Sequence, residues 1–254
     1  MRKLNQLFTK AVLFFLLFVS ISAGQNGSFT TVHFTGKDGV KLTADLYDAG
    51  SKSKPMILLF HMFKSSRGEY RDIAPKLVKM GFNCLAVDTR GGDKDRVHKV
   101  VNETVQDGYD INGRDYLSAY PDLESSLQYV KSSGYNGKIL VWGSSYTSIL
   151  VFKLAAEHQN EIAGLLSFSP GEYIGGKDNI VEEWASEVKK VPCYVSCAAD
   201  EKSQSKPIFD AIQSKNKTYY LPHRGTHGSP NVIENDQNWK LAERFLKNFL
   251  AGLR

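Results

Sequence analysis

The sequence predicts an α/β fold: a mostly parallel, open sheet of eight strands, opened by an antiparallel hairpin and covered by helices on both faces. Three observations carry this reading. Short apolar runs alternate with amphipathic stretches along most of the chain. After the first two, the runs are almost continuously apolar, as in strands covered on both faces. The first two flank Gly36-Lys37-Asp38-Gly39, a tight-turn sequence.

The elements follow in order. Residues 30–35 and 41–47 form the hairpin. Residues 55–61, Pro-Met-Ile-Leu-Leu-Phe-His, read as a buried third strand. A helix over 69–80 follows, because Ile73, Leu77 and Met80 share one face. Residues 83–88 are the fourth strand. Residues 89–119 are polar with little periodicity, and their Tyr109 and Tyr116 are candidates for shaping a substrate entrance. A helix over 121–133 turns Leu123, Leu127 and Val130 inward. The fifth strand, 138–142, runs straight into an apolar helix over 145–157. Strands over 163–168, 191–198 and 218–221 complete the sheet, with helices near 179–188 and 203–214 between them. The last helix, 236–253, aligns Ala242, Phe245, Leu246, Phe249 and Leu253. In such sheets ligands bind beyond the carboxyl ends of the strands.

Composition excludes several classes. Of 254 residues, 42% are hydrophobic and 23% charged, with 21 Gly and 8 Pro, so the chain is not disordered, collagen-like or a multi-span membrane protein. Residues 1–24 carry Arg2, Lys3 and Lys10 ahead of the apolar run 11–19 and then small residues. That is the layout of a secretory signal peptide, and the run is far short of the roughly 20 residues that span a bilayer. The expected domains are therefore a signal peptide, 1–24, and one α/β domain, 25–254. Losing those three cations lowers the net charge from +5 to +2, too little to call for nucleic acid or an acidic surface, and no stable membrane insertion is expected after signal cleavage. Cys193 and Cys197 on one strand stand roughly 13 Å apart, beyond the about 7 Å a disulfide spans. With Cys84 they are expected to be buried free thiols. No Cys/His ligand pattern implies a metal.

The chemistry is sought at the strand ends. The fifth strand ends in Trp142-Gly143-Ser144-Ser145-Tyr146-Thr147 and a helix begins at once. Gly143-x-Ser145-x-Thr147 is a nucleophile-elbow pattern, the only Gly-x-Ser in the chain, with Thr replacing the usual second Gly. A serine nucleophile needs a base, and the base an orienting carboxylate, in the chain order Ser, acid, His. Asp200 is taken as the acid ahead of Glu201, as the first polar residue past the seventh strand. His227, in the Gly-flanked loop past the eighth strand, is taken as the base ahead of His223, which directly follows the strand. The oxyanion donors are expected to be the backbone N–H groups of Tyr146 and Phe63, the latter in the loop after the third strand. His61 is expected to brace that loop.

At these residues the chain resembles the α/β-hydrolase superfamily, and more closely its dienelactone-hydrolase-like and small bacterial esterase-like members. The resemblance runs through residues 55–93, 139–148, 195–200 and 225–228. Carried over residue by residue, it implies Ser145 as nucleophile, Asp200 as acid, His227 as base, and Phe63 and Tyr146 at the oxyanion hole. Met62 departs from the family's usual Gly, and Thr147 from its second elbow Gly. Dienelactone hydrolase is similar but uses Cys, so Ser145 points to an ester or related acyl substrate. The resemblance implies no metal or organic cofactor. Together with the signal-peptide layout of residues 1–24, which implies a periplasmic or extracellular location, the reading is a secreted serine hydrolase with a small-molecule acyl substrate. A peptidase of the same fold and a degenerate hydrolase fold used for binding are the alternatives.

Overall fold

The computed structural model describes residues 28–106, 115–176 and 178–253, with the backbone of residues 21 and 22. Residues 1–20 and 23–27, which hold most of the expected signal peptide, and Tyr109 lie outside the described residues. Eight strands carry the sheet: β1 (Phe29–Thr35), β2 (Lys41–Tyr47), β3 (Met56–Phe60), β4 (Asn83–Asp88), β5 (Ile139–Ser144), β6 (Ile162–Phe168), β7 (Cys193–Ser196) and β8 (Lys217–Tyr220). Their spatial order is β1-β2-β4-β3-β5-β6-β7-β8, and Ile21–Ser22 adds a two-residue edge strand beside β1. β2 pairs antiparallel with β1 and β4, and every later pairing is parallel.

Residues of one strand alternate between two separate cores. Leu58 and Phe60 of β3 face one side with Val141, Ile149 and Leu150. Ile57 and Leu59 face the other with Trp142, Leu77 and Leu246. That two-sided burial is why the strands read as unbroken apolar runs. Each such Leu or Ile is fully buried, which stabilises the fold by about 1.5–3 kcal/mol. The covering helices are α1 (Ala74–Lys79), α2 (Tyr120–Ser132), α3 (Tyr146–Glu157), α4 (Ile180–Glu187), α5 (Lys202–Ala211) and α6 (Asp236–Ala251). Among the described residues no helix is long and apolar enough to cross a membrane.

Two expectations need correction. The helix read over 69–80 is a 3-10 turn, Arg67–Tyr70, followed by the shorter α1. Pro75 sits in the first turn of α1, and its ring would clash with a carbonyl one turn earlier in a continuous helix. The seventh strand stops at Ser196, and Ala199–Glu201 turn as a 3-10 helix. Cys84, Cys193 and Cys197 are buried free thiols, as expected.

The strand order reverses direction between β3 and β5, the switch point where open α/β sheets bind ligands. In register, Phe60 lies opposite Gly143, Ser144 opposite Phe168, and Phe168 opposite Ser196. The carboxyl ends of β3, β5, β6 and β7 are therefore level, and the loops that leave them meet.

Candidate active site

Ser145 is forced outward by its turn. Its φ is 56° and ψ −119°, a region that costs a non-glycine residue about 1–3 kcal/mol. The conformation is held on both sides. The Ser145 N–H donates to Phe168 O at 2.9 Å, and the Ser148 N–H donates to Ser145 O at 2.9 Å. Gly143 has no room for a side chain, since a Cβ there would lie 2.5 Å from Thr147 O. Thr147, the departure from the elbow pattern, is fully buried and has a purpose. Its hydroxyl accepts the Ser144 N–H at 2.8 Å and lies 2.8 Å from Phe60 O, to which it donates. The extra atoms of Thr thus fasten the elbow to the end of β3.

His227 reaches Ser145 as expected. The Ser145 hydroxyl donates to His227 Nε2 at 2.6 Å. The contact expected with Asp200 is corrected: His227 Nδ1 donates to Glu201 Oε1, not to Asp200. The physical reason is the 3-10 turn over 199–201. Neighbouring residues on such a turn point about 120° apart, so Asp200 is exposed while Glu201 faces the site. His223 is also exposed.

Glu201 has a second anchor that sequence reasoning missed. Its Oε2 accepts the Ser169 hydroxyl at 2.6 Å and the Ala198 N–H at 2.9 Å. Burial pushes the Glu201 carboxyl up, but hydrogen bonds from His227, Ser169 and Ala198 outweigh it and hold the carboxyl below its ordinary value. Ser169 sits just past β6 at φ 58°. Its oxygen also accepts the Gly228 N–H at 2.8 Å, so one hydroxyl ties the acid to the residue after the base. No local pattern marks Ser169; only its unusual position beyond a buried strand could have drawn notice.

The loop after β3 carries the expected oxyanion donor. The Met62 N–H is held by Glu69 Oε2 at 2.9 Å, and the Lys64 N–H by Gly91 O at 2.8 Å. The Phe63 N–H between them has no hydrogen-bond partner among the described residues. Tyr146 opens α3 immediately after Ser145, where the helix dipole favours negative charge. The rings of Phe63, Tyr146 and Tyr116 pack on one another with centroids 5.2–6.2 Å apart. Tyr116 therefore sits against both expected donor residues.

His61 braces the loop. It is fully buried, its Nδ1 donates to Met62 O at 2.8 Å, and its Nε2 accepts the Thr89 N–H at 3.0 Å. Burial pushes its pKa down to about 4, so the ring is neutral. Elsewhere, Glu124, Glu157 and His158 are close enough to share an ion. Glu157 ends α3 at the far side from Ser145 and is paired with Lys153, while Glu124 is paired with Lys37. That group takes no part in the Ser145 site.

A family model described as serine aminopeptidase, S33, matches residues 51–195, more than half of the chain. Among curated proteins none matches the chain in sequence. Solved structures do match. An esterase of Pyrococcus furiosus is 20% identical, with a TM-score of 0.67 over 87% of this chain and 91% of that one. An acetyl xylan esterase from Paenibacillus sp. R4 is 16% identical, with a TM-score of 0.66 over 91% of this chain and 87% of that one. A dienelactone hydrolase from Anabaena variabilis is 15% identical, with a TM-score of 0.60 over 80% and 89%. At these identities the likeness is one of fold.

Proposed function

For a chain that belongs to the serine aminopeptidase S33 family of α/β-hydrolases, we propose a serine hydrolase that cleaves carboxylic esters through Ser145, His227 and Glu201. One observation carries the reading: Ser145 Oγ lies 2.6 Å from His227 Nε2 while a carboxylate holds the other ring nitrogen. Nucleophile, base and orienting acid are thus in hydrogen-bond contact in the order that chemistry requires.

The steps follow from that geometry. Ser145 Oγ attacks the acyl carbonyl and passes its proton to His227 Nε2. The carbonyl oxygen becomes an oxyanion held by the Phe63 and Tyr146 N–H groups. Glu201 stabilises the imidazolium through Nδ1. The tetrahedral intermediate collapses, and His227 returns the proton to the leaving alcohol. Water, deprotonated by the same His, attacks the acyl-enzyme and releases the acid with Ser145 restored. Esterases among the similar folds favour an ester over other acyl substrates. Residues 1–24 are proposed to export the chain to the periplasm or beyond and to be removed, which the N-terminal sequence of the exported protein tests.

A fluorophosphonate probe should label the protein, and Ser145→Ala should abolish both labelling and turnover of p-nitrophenyl acetate and butyrate. Labelling that survives the substitution refutes the assignment. The description of the matching family makes peptidase activity the second reading. Cleavage of aminoacyl p-nitroanilides without ester turnover would put it first.

A further inference from the structure

Glu69 is a buried carboxyl that the reaction above does not use. It lies on the 3-10 turn Arg67–Tyr70 and is 9% exposed. Among the described residues no cation forms an ion pair with it. Its Oε2 accepts the Met62 N–H at 2.9 Å, and its Oε1 is buried without a hydrogen-bond partner. Burial pushes the carboxyl up to about 7, against the pull of the Ser144 hydroxyl, the Met62 N–H and the Ser65 hydroxyl. A lone buried carboxyl is costly to keep, so its neighbours are informative.

Those neighbours flank all three parts of the site. Met62 precedes Phe63, the oxyanion donor. Ser144 precedes Ser145, the nucleophile. The Ser144 oxygen accepts the Ser229 N–H at 2.8 Å, two residues beyond His227. Between His227 and Ser229, Gly228 stands so close that a Cβ there would lie 2.6 Å from Ser144 Oγ and 2.8 Å from Met62 Cε. Glu69 therefore sits where the loops after β3, β5 and β8 converge.

The Met62–Phe63 peptide shows what this placement does. Met62 O accepts from His61 Nδ1 at 2.8 Å and from the Ser65 N–H at 3.1 Å. A trans peptide points its N–H opposite its C=O, so anchoring the carbonyl inward turns the Phe63 N–H the other way. The carbonyl bonds hold only one end of Met62. Glu69 holds the other end, its N–H, and so removes the remaining rotation about the Met62 backbone.

We infer that Glu69 is a positioning residue, which aims the Phe63 N–H at the oxyanion by accepting the Met62 N–H. The inference rests on the proposed serine-hydrolase reaction. What matters is an acceptor oxygen at the right reach, not a negative charge. A charge so near the site would disfavour the oxyanion.

Glu69→Gln and Glu69→Asp separate reach from charge. Gln keeps an acceptor oxygen at the same distance without the charge. Asp keeps the charge but withdraws the oxygen by one methylene. Turnover of p-nitrophenyl butyrate is measured with the full chain, per active site titrated with a fluorophosphonate, so that only folded molecules count. The expected result is kcat within about 3-fold of wild type for Gln and lowered about 10–100-fold for Asp, a fraction of the loss from deleting an oxyanion donor. KM is expected to stay within about 3-fold in both, because the lost interaction forms in the transition state. The rate constant of fluorophosphonate labelling should fall in Asp alongside kcat. Equal kcat in Asp and wild type, or a loss in Gln as large as in Asp, overturns the inference. A wild-type protein that the probe does not label refutes instead the serine-hydrolase reading on which it rests.

Discussion

Two groups of acids, buried to different degrees, stand near neighbouring strand ends and are treated in opposite ways. At β2 and β4, Asp45, Asp88 and Glu103 gather around Arg67, with Arg67 Nε 3.2 Å from Asp45 and Nη2 2.5 Å from Glu103. Arg67 Nη1 bonds Asp88 directly, and Arg71 adds a second cation to Asp45 at 2.7 Å. At β3, β5 and β7, Glu69 and Glu201 accept hydrogen bonds from hydroxyl, backbone or imidazole N–H groups and have no Lys or Arg partner among the described residues. Arg67 and Glu69 are two residues apart on one turn, yet they point into these two different groups. A carboxylate paired with a cation is spent on the fold. One held by neutral donors keeps a charge or an acceptor available to the chemistry beside it.

Four experiments would break or sharpen this contrast. The largest effect is expected at Glu201. Glu201→Gln should lower kcat about 10³–10⁴-fold by failing to orient and stabilise the imidazolium, with little change in urea-unfolding free energy. A large loss of stability with kcat intact would make Glu201 structural. Arg67→Met should do the reverse. It leaves Asp45 and Asp88 buried against too little positive charge, which costs about 3–5 kcal/mol of stability, read from urea melts. Turnover per titrated site should stay near wild type.

Glu69→Gln should reveal a carboxyl that is unfavourable when ionised. The folded carboxyl titrates at about 7 against an ordinary 4.5, because of burial. Between those values the folded state holds a proton that the unfolded state has lost, so this group's contribution to stability falls as pH rises through that window. Gln carries no such loss. Its stability relative to wild type should therefore rise by about 1–3 kcal/mol between pH 4.5 and pH 8. A pH-independent difference would show that the carboxyl does not titrate there. The smallest effect belongs to Asp200→Asn, which should alter stability by less than about 0.5 kcal/mol and leave kcat unchanged. A loss at Asp200 comparable to that at Glu201 would reinstate it as the acid.

Much of the site was readable because its signals are local. The elbow needs a small residue two before Ser145, and Gly143 meets Thr147 O within the same turn. His227 stands in a Gly-flanked loop, and Gly228 at φ 78° permits the close approach to Ser144. The unbroken apolar strands announced a sheet buried on both faces. Where sequence reading failed, the deciding contact was remote or angular. Asp200 and Glu201 are adjacent and chemically alike, and only the 3-10 turn that ends β7 decides which one faces His227. The helix over 69–80 was misread because apolar spacing alone does not register the break at Pro75.

The sequence by itself determined the fold class and pointed to Ser145 and His227 as the residues that meet, because strand burial, the elbow turn and the glycines around His227 are set by residues near one another in the chain. Only the tertiary structure decided the rest. It turned Glu201 toward His227, joined Ser169 to it across 32 residues, and brought Glu69 to the Met62 N–H. Those contacts exist because the parallel register levels the ends of β3, β5, β6 and β7, and such a register belongs to the assembled sheet rather than to any one segment.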